Sequence, residues 1–357
     1  MPPAIGVGIV GLSARGGWAA NAHVPALRAV DGVELRGLAA SSREAADRAA
    51  ARFDVPWATT DVAELAARPD IDLVVVAVPT PLHRKLIEPV LEAGKMVHSE
   101  WPLAVDAAEA ADLAERAGRR GVRTVAGLQA RSVPMVRYLR DLIADGYVGE
   151  VLSSTLVGSG GGWGGAVPSR LLYTLDRASG ATMLTIPFGH TLAAFTMCLS
   201  GFATLTATTA TRRPVARNTD TGEDVPVRTA DQVAVSGVLE TGAVAALHYR
   251  GGSSRATNLR WEINGTDGDL VVTGGSGHLQ MGQAVLHGAR GKDTALAELA
   301  VPSRYHAVPE AVAPWSGVAH SYAQLVADIR EGTSVVPDFA AAAEHTQQLE
   351  RIARASG

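Results

Sequence analysis

The chain has 357 residues, 47% hydrophobic and 19% charged. That is too apolar for a disordered chain and, at roughly 150 residues per domain, enough for about two folded domains. Lys+Arg total 32 and Asp+Glu 36, a formal net charge of −4, with no clustered basic stripe, which argues against a nucleic-acid-binding surface. A single cysteine, Cys198, excludes an internal disulfide and a thiolate metal cluster and fits a reducing, cytoplasmic compartment; no metal site is expected. The start MPPAIGVGIVG lacks a basic leader region. The longest apolar runs, such as LVVVAVP, fall far short of the ~20 residues of a membrane-spanning helix, so no membrane role is expected.

In chain order, short β-branched runs over 5–10, 33–38, 73–78, 96–98 and 123–126 alternate with alanine-rich segments of helical period over 43–52, 82–93 and 106–120. This alternation predicts βαβ units and an α/β, doubly wound parallel sheet, with Asp106 as an N-cap and Gly94 and Gly121 as C-terminal stops. After Gly149 longer alternating segments over 150–157, 204–211, 232–240, 243–249, 259–264 and 269–273 predict an open, mainly antiparallel sheet in an α+β domain. Glu240-Thr241-Gly242 and Thr266-Asp267-Gly268 read as hairpin turns within it. The glycine-dense stretch 158–165 reads as a loop. Helical period resumes over 319–331 and 339–354. The expected division is a dinucleotide-binding domain over 1–128 and a substrate and oligomerisation domain over 129–357, with the last helices able to pack back on the first.

The string Gly6-Val7-Gly8-Ile9-Val10-Gly11 matches G-x-G-x-x-G, but these residues are the first strand itself, whereas that fingerprint belongs to the turn after it. Moved to the strand's end, the turn reads Gly11-Leu12-Ser13-Ala14-Arg15-Gly16-Gly17. Gly11 makes the tight turn and Gly16 lets a helix start close to a pyrophosphate. Ser13 replaces the middle glycine and offers a hydroxyl to a phosphate oxygen, while the helix N-terminus supplies N–H groups. The second strand ends in Ala39-Ala40-Ser41-Ser42-Arg43, with no carboxylate to hold a ribose 2′-hydroxyl. Serines and a guanidinium suit a 2′-phosphate, so NADP(H) is expected over NAD(H). The alternative is that Ser41 or Ser42 caps the next helix and Arg43 is solvated.

Val78-Pro79-Thr80-Pro81-Leu82-His83, Glu100-Trp101-Pro102-Leu103, the early His23-x-Pro25-Ala26-Leu27 and the turn Ile263-Asn264-Gly265-Thr266-Asp267-Gly268 together resemble the Gfo/Idh/MocA oxidoreductase family. The resemblance spans nearly the whole chain and implies an N-terminal Rossmann domain and a C-terminal open antiparallel sheet. It implies cofactor contacts from Gly11, Leu12, Ser13, Arg15, Gly16, Ser41, Ser42, Arg43, Pro79, Thr80, His83, Glu100, Trp101 and Gln129. Family members carry Glu-Lys-Pro where this chain has Glu100-Trp101-Pro102. The family's lysine contacts the nicotinamide ribose and the substrate hydroxyl, and tryptophan supplies no such charge. Only Lys85, Lys95 and Lys292 exist in the chain, and none is an obvious replacement. The segment from Gly180 to His190 resembles the glycine-rich approach to the family's catalytic histidine. His190 is retained, but the acid usually preceding it is Thr185 or Ile186, and the one three residues beyond is Ala193.

Gly11-Leu12-Ser13-Ala14-Arg15-Gly16-Gly17-Trp18, Leu128-Gln129-Ala130-Arg131, Gly161-Gly162-Trp163 and Phe188-Gly189-His190-Thr191 are similar to the fungal galactose-pathway repressor branch of the same family. That branch keeps the dinucleotide fold and acts through protein contacts. Three functions follow. The first is an NADP(H)-dependent oxidoreductase acting on a small sugar, polyol or related carbonyl compound, with His190 as proton shuttle and Tyr173 as a second donor. Trp163 would then stack on the substrate and Arg131 hold an anionic group. The second is a non-catalytic NAD(P)-binding regulator or sensor; a lyase or glycosidase-like reaction with transient nicotinamide oxidation is a narrower third. Relatives use the antiparallel sheet to meet a partner subunit, so a homo-oligomer is expected.

Overall fold

The structure is a computed structural model that describes residues 3–281, 284–308 and 316–356. The chain divides into two units, Met1–Ser132 with Ala307–Thr346, and Val133–His306 with Gln347–Gly357.

The first unit opens with β1 (Ile5–Val10), a π-helical turn Ala19–His23 running into α1 (Val24–Ala29), β2 (Val33–Ala39), α2 (Arg43–Phe53), β3 (Ala58–Thr59) and α3 (Val62–Ala67). It continues with β4 (Leu73–Val76), α4 (His83–Glu92), β5 (Met96–Ser99), α5 (Ala107–Arg119) and β6 (Thr124–Ala126). The strands form one parallel sheet in the order β3-β2-β1-β4-β5-β6, a doubly wound Rossmann arrangement whose order reverses between β1 and β4. β4 is buried at every position because helices cover both faces of the sheet. Asp106 caps α5 by accepting from the Glu109 N–H at 2.8 Å, and Gly94 and Gly121 take left-handed φ of 69° and 62° after α4 and α5. Two expectations shift. The strand expected to reach Val78 ends at Val76. The helix after the glycine turn starts at Ala19 instead of at Gly16.

The second unit begins with α6 (Pro134–Ala144), β7 (Val151–Gly160), β8 (Ala166–Val167), α7 (Pro187–Leu199), β9 (Phe202–Ala210), β10 (Val215–Asn218) and β11 (Asp224–Pro226). β12 (Gln232–Leu239), β13 (Val244–Gly251), β14 (Leu259–Gly265), β15 (Gly268–Gly274), β16 (Ala284–Arg290) and β17 (Ala297–Glu298) follow. Eight strands form a sheet ordered β17-β16-β15-β14-β7-β13-β12-β9, antiparallel except where β7 runs parallel to β13. Both expected hairpins are present, β12–β13 and β14–β15. The glycine-dense stretch is not all loop, because β7 continues through Gly160. A Cβ at Gly158 would lie 2.3 Å from the Tyr249 ring and one at Gly160 2.7 Å from Pro187. These glycines make room for side chains packed on the strand. Apolar α7 covers this face, with Phe188 edge-on to Tyr249 and Phe195 against Trp261. The opposite face presents small and polar side chains, Thr206, Thr208, Ser236, Ala246 and His248, beside exposed Val238 and Val244.

The chain then returns to the first unit with α8 (Ser316–Glu331), and α9 (Phe339–Arg354) closes it. α8 joins the core cluster around β1 and α1 through Val318, Tyr322 and Leu325. Its buried Asp328 accepts hydrogen bonds from the Thr333 hydroxyl (2.6 Å) and the Val335 and Val336 N–H groups (2.8 and 2.9 Å), which hold the carboxyl below the usual carboxylate range and close the turn after the helix. Asp328→Ala leaves these buried donors without an acceptor. A loss of about 3 kcal/mol is expected in urea unfolding of the whole chain. No helix among the described residues is long and apolar enough to cross a membrane.

Candidate functional site

Gly11, at the carboxyl end of β1, has φ of 96°, and a Cβ there would lie 2.4 Å from the Ala77 carbonyl oxygen. Only glycine fits so close to the next strand. Gly16 and Gly17 also have positive φ, 99° and 113°, but a Cβ on either would meet nothing within 4 Å. Their faces look onto open space. The Ser13 hydroxyl oxygen accepts from the Arg15 N–H at 3.1 Å and the Ser13 carbonyl from the Gly16 N–H at 3.1 Å, so the turn is braced and the hydroxyl proton is left to donate outward.

This turn lines a cleft of about 700 Å³ along the carboxyl ends of β1 and β2, within the range of small-molecule sites and at the crevice that doubly wound sheets use. Leu12, Ser41, Ser42 and Pro79 line it, as do three cations, Arg15, Arg48 and Lys85. The glycine cradle, the open space before it and the positive lining fit a dinucleotide. Ser42 caps α2, its Oγ accepting from the Ala45 N–H at 3.2 Å. The Arg43 guanidinium pairs with Asp47 and donates to the Ala58 carbonyl at 2.8 Å, bracing α2 against β3. The arginine that lines the cleft is Arg48, further along α2, and its guanidinium is likewise paired at i,i+4, with Glu44. His83 is buried, with Nε2 2.9 Å from the Val78 carbonyl and Nδ1 3.1 Å from that of Leu103, and burial holds its pKa below the ordinary histidine value. It ties two loops together and presents neither nitrogen to a ligand. Thr80 is buried in the short turn Thr80–Leu82.

Beyond β5 lies a buried polar chain that only partly showed in the sequence. A carboxylate can only accept, so His23 Nε2 donates to Glu100 Oε1 at 2.8 Å, and Nδ1 then accepts from the Tyr322 hydroxyl at 2.7 Å. Gln129 Nε2 donates to both Glu100 oxygens at 3.2 and 2.9 Å. Burial pushes the Glu100 carboxyl up, but His23 and Gln129 together hold it below the usual range. His98 stacks edge-on to His23 and Tyr322, each at 5.3 Å; among the described residues neither of its ring nitrogens has a hydrogen-bond partner. Burial lowers its pKa to about 3. Trp101, where the family lysine would stand, is 6% exposed with its ring 5.1 Å from that of His345, so this position packs as core. Arg131 follows Gln129 in the short turn Gln129–Ser132 and is half-buried.

In the second unit, His190 lies in the first turns of α7, 4% exposed. Thr185, at the expected acid position, instead closes the preceding loop by donating to the Gly180 carbonyl at 2.7 Å. Tyr173 is on a 3₁₀ segment, Ser169–Leu175, and burial pushes its hydroxyl up, away from the range of a donor at neutral pH. Trp163 faces the His278 ring at 6.1 Å, and Gln280 Nε2 lies 3.1 Å from His278 Nδ1. Burial lowers the His278 pKa to about 4. His278 and Gln280 gave no sequence signal, since no motif surrounds them.

A model described as an oxidoreductase family with an NAD-binding Rossmann fold matches residues 5–128, and one for the C-terminal domain of Gal80p matches 134–274. Dehydrogenase aclE of Aspergillus oryzae is 32% identical over 298 residues, 77% of this chain and 78% of that protein. The galactose/lactose metabolism regulatory protein GAL80 of Saccharomyces cerevisiae is 29% identical over 315 residues, 82% and 72% of the two chains. The structure of a super-repressor mutant of Gal80p from the same yeast superposes with a TM-score of 0.88 at 25% identity, over 99% of this chain and 96% of that one. A Rossmann unit with its glycine cradle, a second unit built on an open sheet and identity at this level over three quarters of a dehydrogenase make the chain a member of the Gfo/Idh/MocA oxidoreductase family.

Proposed function

We propose that the chain is an NADP(H)-dependent oxidoreductase acting on a small sugar, polyol or related carbonyl compound. The observation that carries the reading is the cleft beside the Gly11 turn, lined by Ser41 and Ser42 after β2 and by Arg48 on α2. The two serine hydroxyls and the Arg48 guanidinium, once it exchanges Glu44 for phosphate, can hold a 2′-phosphate, whereas an NAD-type ribose acceptor is missing from 39–43. A bound pyridine nucleotide would supply the hydride carrier. The chain's own residues bind it through Gly11, Leu12, Ser13, Arg15 and Gly16 and hold its phosphates against Arg15, Arg48 and Lys85. His190 is the candidate that moves the substrate hydroxyl proton, with Trp163 and Arg131 as substrate contacts; Tyr173 drops to a packing role. The weakly polar outer sheet face with Val238 and Val244 suits a second copy of the chain.

Trp101 favours a second reading. With a buried indole at the lysine position, the chain can hold NAD(P) without turning over a substrate, and the likeness to GAL80 supports a regulator. Calorimetry and turnover assays with keto-sugars, polyols and cyclic ketones separate the two. The oxidoreductase reading expects NADPH to bind at least tenfold tighter than NADH, Arg48→Ala to erase that preference, and His190→Ala to abolish turnover with cofactor affinity unchanged. Tight binding with no turnover across the panel supports the regulator. Absence of binding by any pyridine nucleotide overturns both.

A further inference from the structure

The buried chain at the end of β5 has no place among the groups that grip phosphate, and its charge is of the opposite sign. The dinucleotide crevice of a doubly wound sheet runs along the carboxyl ends of the strands, with one nucleotide on each side of the point where strand order reverses. The Gly11 turn, Ser41 and Arg48 lie on the β1–β2 side. Glu100 is the first residue after β5, on the other side, where the second nucleotide's base belongs. Its side chain is 12% exposed, so it is sealed from bulk water yet not closed off.

Three hydrogen bonds from two neighbours fix this carboxylate: one from His23 and two from Gln129. His23 is itself fixed by Tyr322 from α8, so the imidazole cannot turn away. Besides His23, the titratable groups that act on Glu100 are His98, 3.9 Å away, His83 and the Tyr322 hydroxyl; burial keeps all three neutral, lowering the two imidazoles and raising the phenol. The adjoining position, 101, carries an uncharged indole.

We infer that Glu100, positioned by His23 and Gln129, is a fixed anion that makes the pocket hold the oxidised, cationic nicotinamide ring tighter than the reduced, neutral one by about tenfold. This rests on the dinucleotide reading above and deepens it. Tighter binding of the oxidised form lowers the two-electron potential of the bound pair by about 30 mV per tenfold. The bound reduced cofactor is thus the stronger hydride donor, and the protein is biased towards reducing its substrate. Both redox forms carry the same phosphates, whose contribution cancels in the ratio of their affinities.

The test is calorimetric titration of the wild-type chain, Glu100→Gln and His23→Gln with NADP⁺ and with NADPH, between pH 8 and 5. Glu100→Gln is expected to cut the ratio of the NADPH to the NADP⁺ dissociation constant about tenfold. The His23→Gln ratio should match that of wild type at pH 8 and fall towards the Glu100→Gln value at pH 5. There the buried carboxyl, without the imidazole that holds it low, takes up a proton. A ratio unchanged in Glu100→Gln overturns the inference while leaving the dinucleotide reading intact. A His23→Gln ratio that does not move with pH overturns His23 as a positioning residue. Should Glu100→Gln fail to fold, the His23→Gln profile decides alone. Failure of wild type to bind either form overturns the dinucleotide reading itself.

Discussion

Gly11→Val is expected to abolish binding of pyridine nucleotides and to destabilise the first unit by about 3–5 kcal/mol. Two causes add. A β-branched residue is strained at φ of 96°, and its Cβ would stand 2.4 Å from the Ala77 carbonyl and 2.7 Å from Val78, both on the segment leaving β4. Because the obstacle includes backbone, no side-chain rotation relieves it, and either the turn or the end of β4 must move. Gly16→Ala is the matched control. It has the same sign of φ but nothing within 4 Å of the new methyl, so only the backbone strain of about 1 kcal/mol remains. Urea unfolding and calorimetry of the two variants should therefore separate: both properties lost at Gly11, stability nearly kept at Gly16. Equal losses would mean that the close approach to Ala77 is not what requires glycine at the turn.

Acidification is the second large effect. Unfolded, His98 takes up a proton near its ordinary value of 6.5; folded, it resists protonation down to about 3 because its ring is sealed among His23, Tyr322 and the sheet. Between these values the unfolded chain binds the extra proton. Stability is therefore complete above pH 6.5 and falls as pH drops, by about 1.4 kcal/mol per pH unit for this one group. His278 behaves alike in the second unit between 6.5 and about 4. His98→Phe keeps a ring between its two neighbours and removes the titration. Unfolding free energies at pH 6.5, 5.5 and 4.5 should fall less steeply in this variant by about one proton's worth. Parallel slopes would show that folded His98 takes up its proton with ease.

Much of the first unit was legible because the information is local. Strand–helix alternation, the Gly11 turn and the Asp106 cap each depend on residues a few positions apart. Arg43 and Arg48 show where local reading stops. Both follow the acid-free end of β2 and both pair at i,i+4, Arg43 with Asp47 and Arg48 with Glu44, but Arg43 also reaches the Ala58 carbonyl while Arg48 lines the cleft. Helix phase, not proximity to the strand, decides between them. Tyr322 was invisible for a different reason, since it meets His23 across 299 positions of sequence. Gly158 and Gly160 misled because glycine marks loops and also strands beneath large rings, and Tyr249 decides which applies.

Strand β7 sits in the middle of its sheet, yet both of its neighbours are made long after it. Ser153 waits for Val244 and Gly158 for Leu259, about 90 to 100 residues further along the chain. At ribosomal speeds of roughly 5–20 residues per second, that leaves ten apolar-flanked residues without a ladder for roughly 5–20 s. The meanders on either side can zip locally, but neither can be joined to the other until β14 emerges, so closure of this sheet is expected to be the slow, aggregation-exposed step of biogenesis. The chain should accordingly depend on holding factors during translation more than its folded stability would suggest.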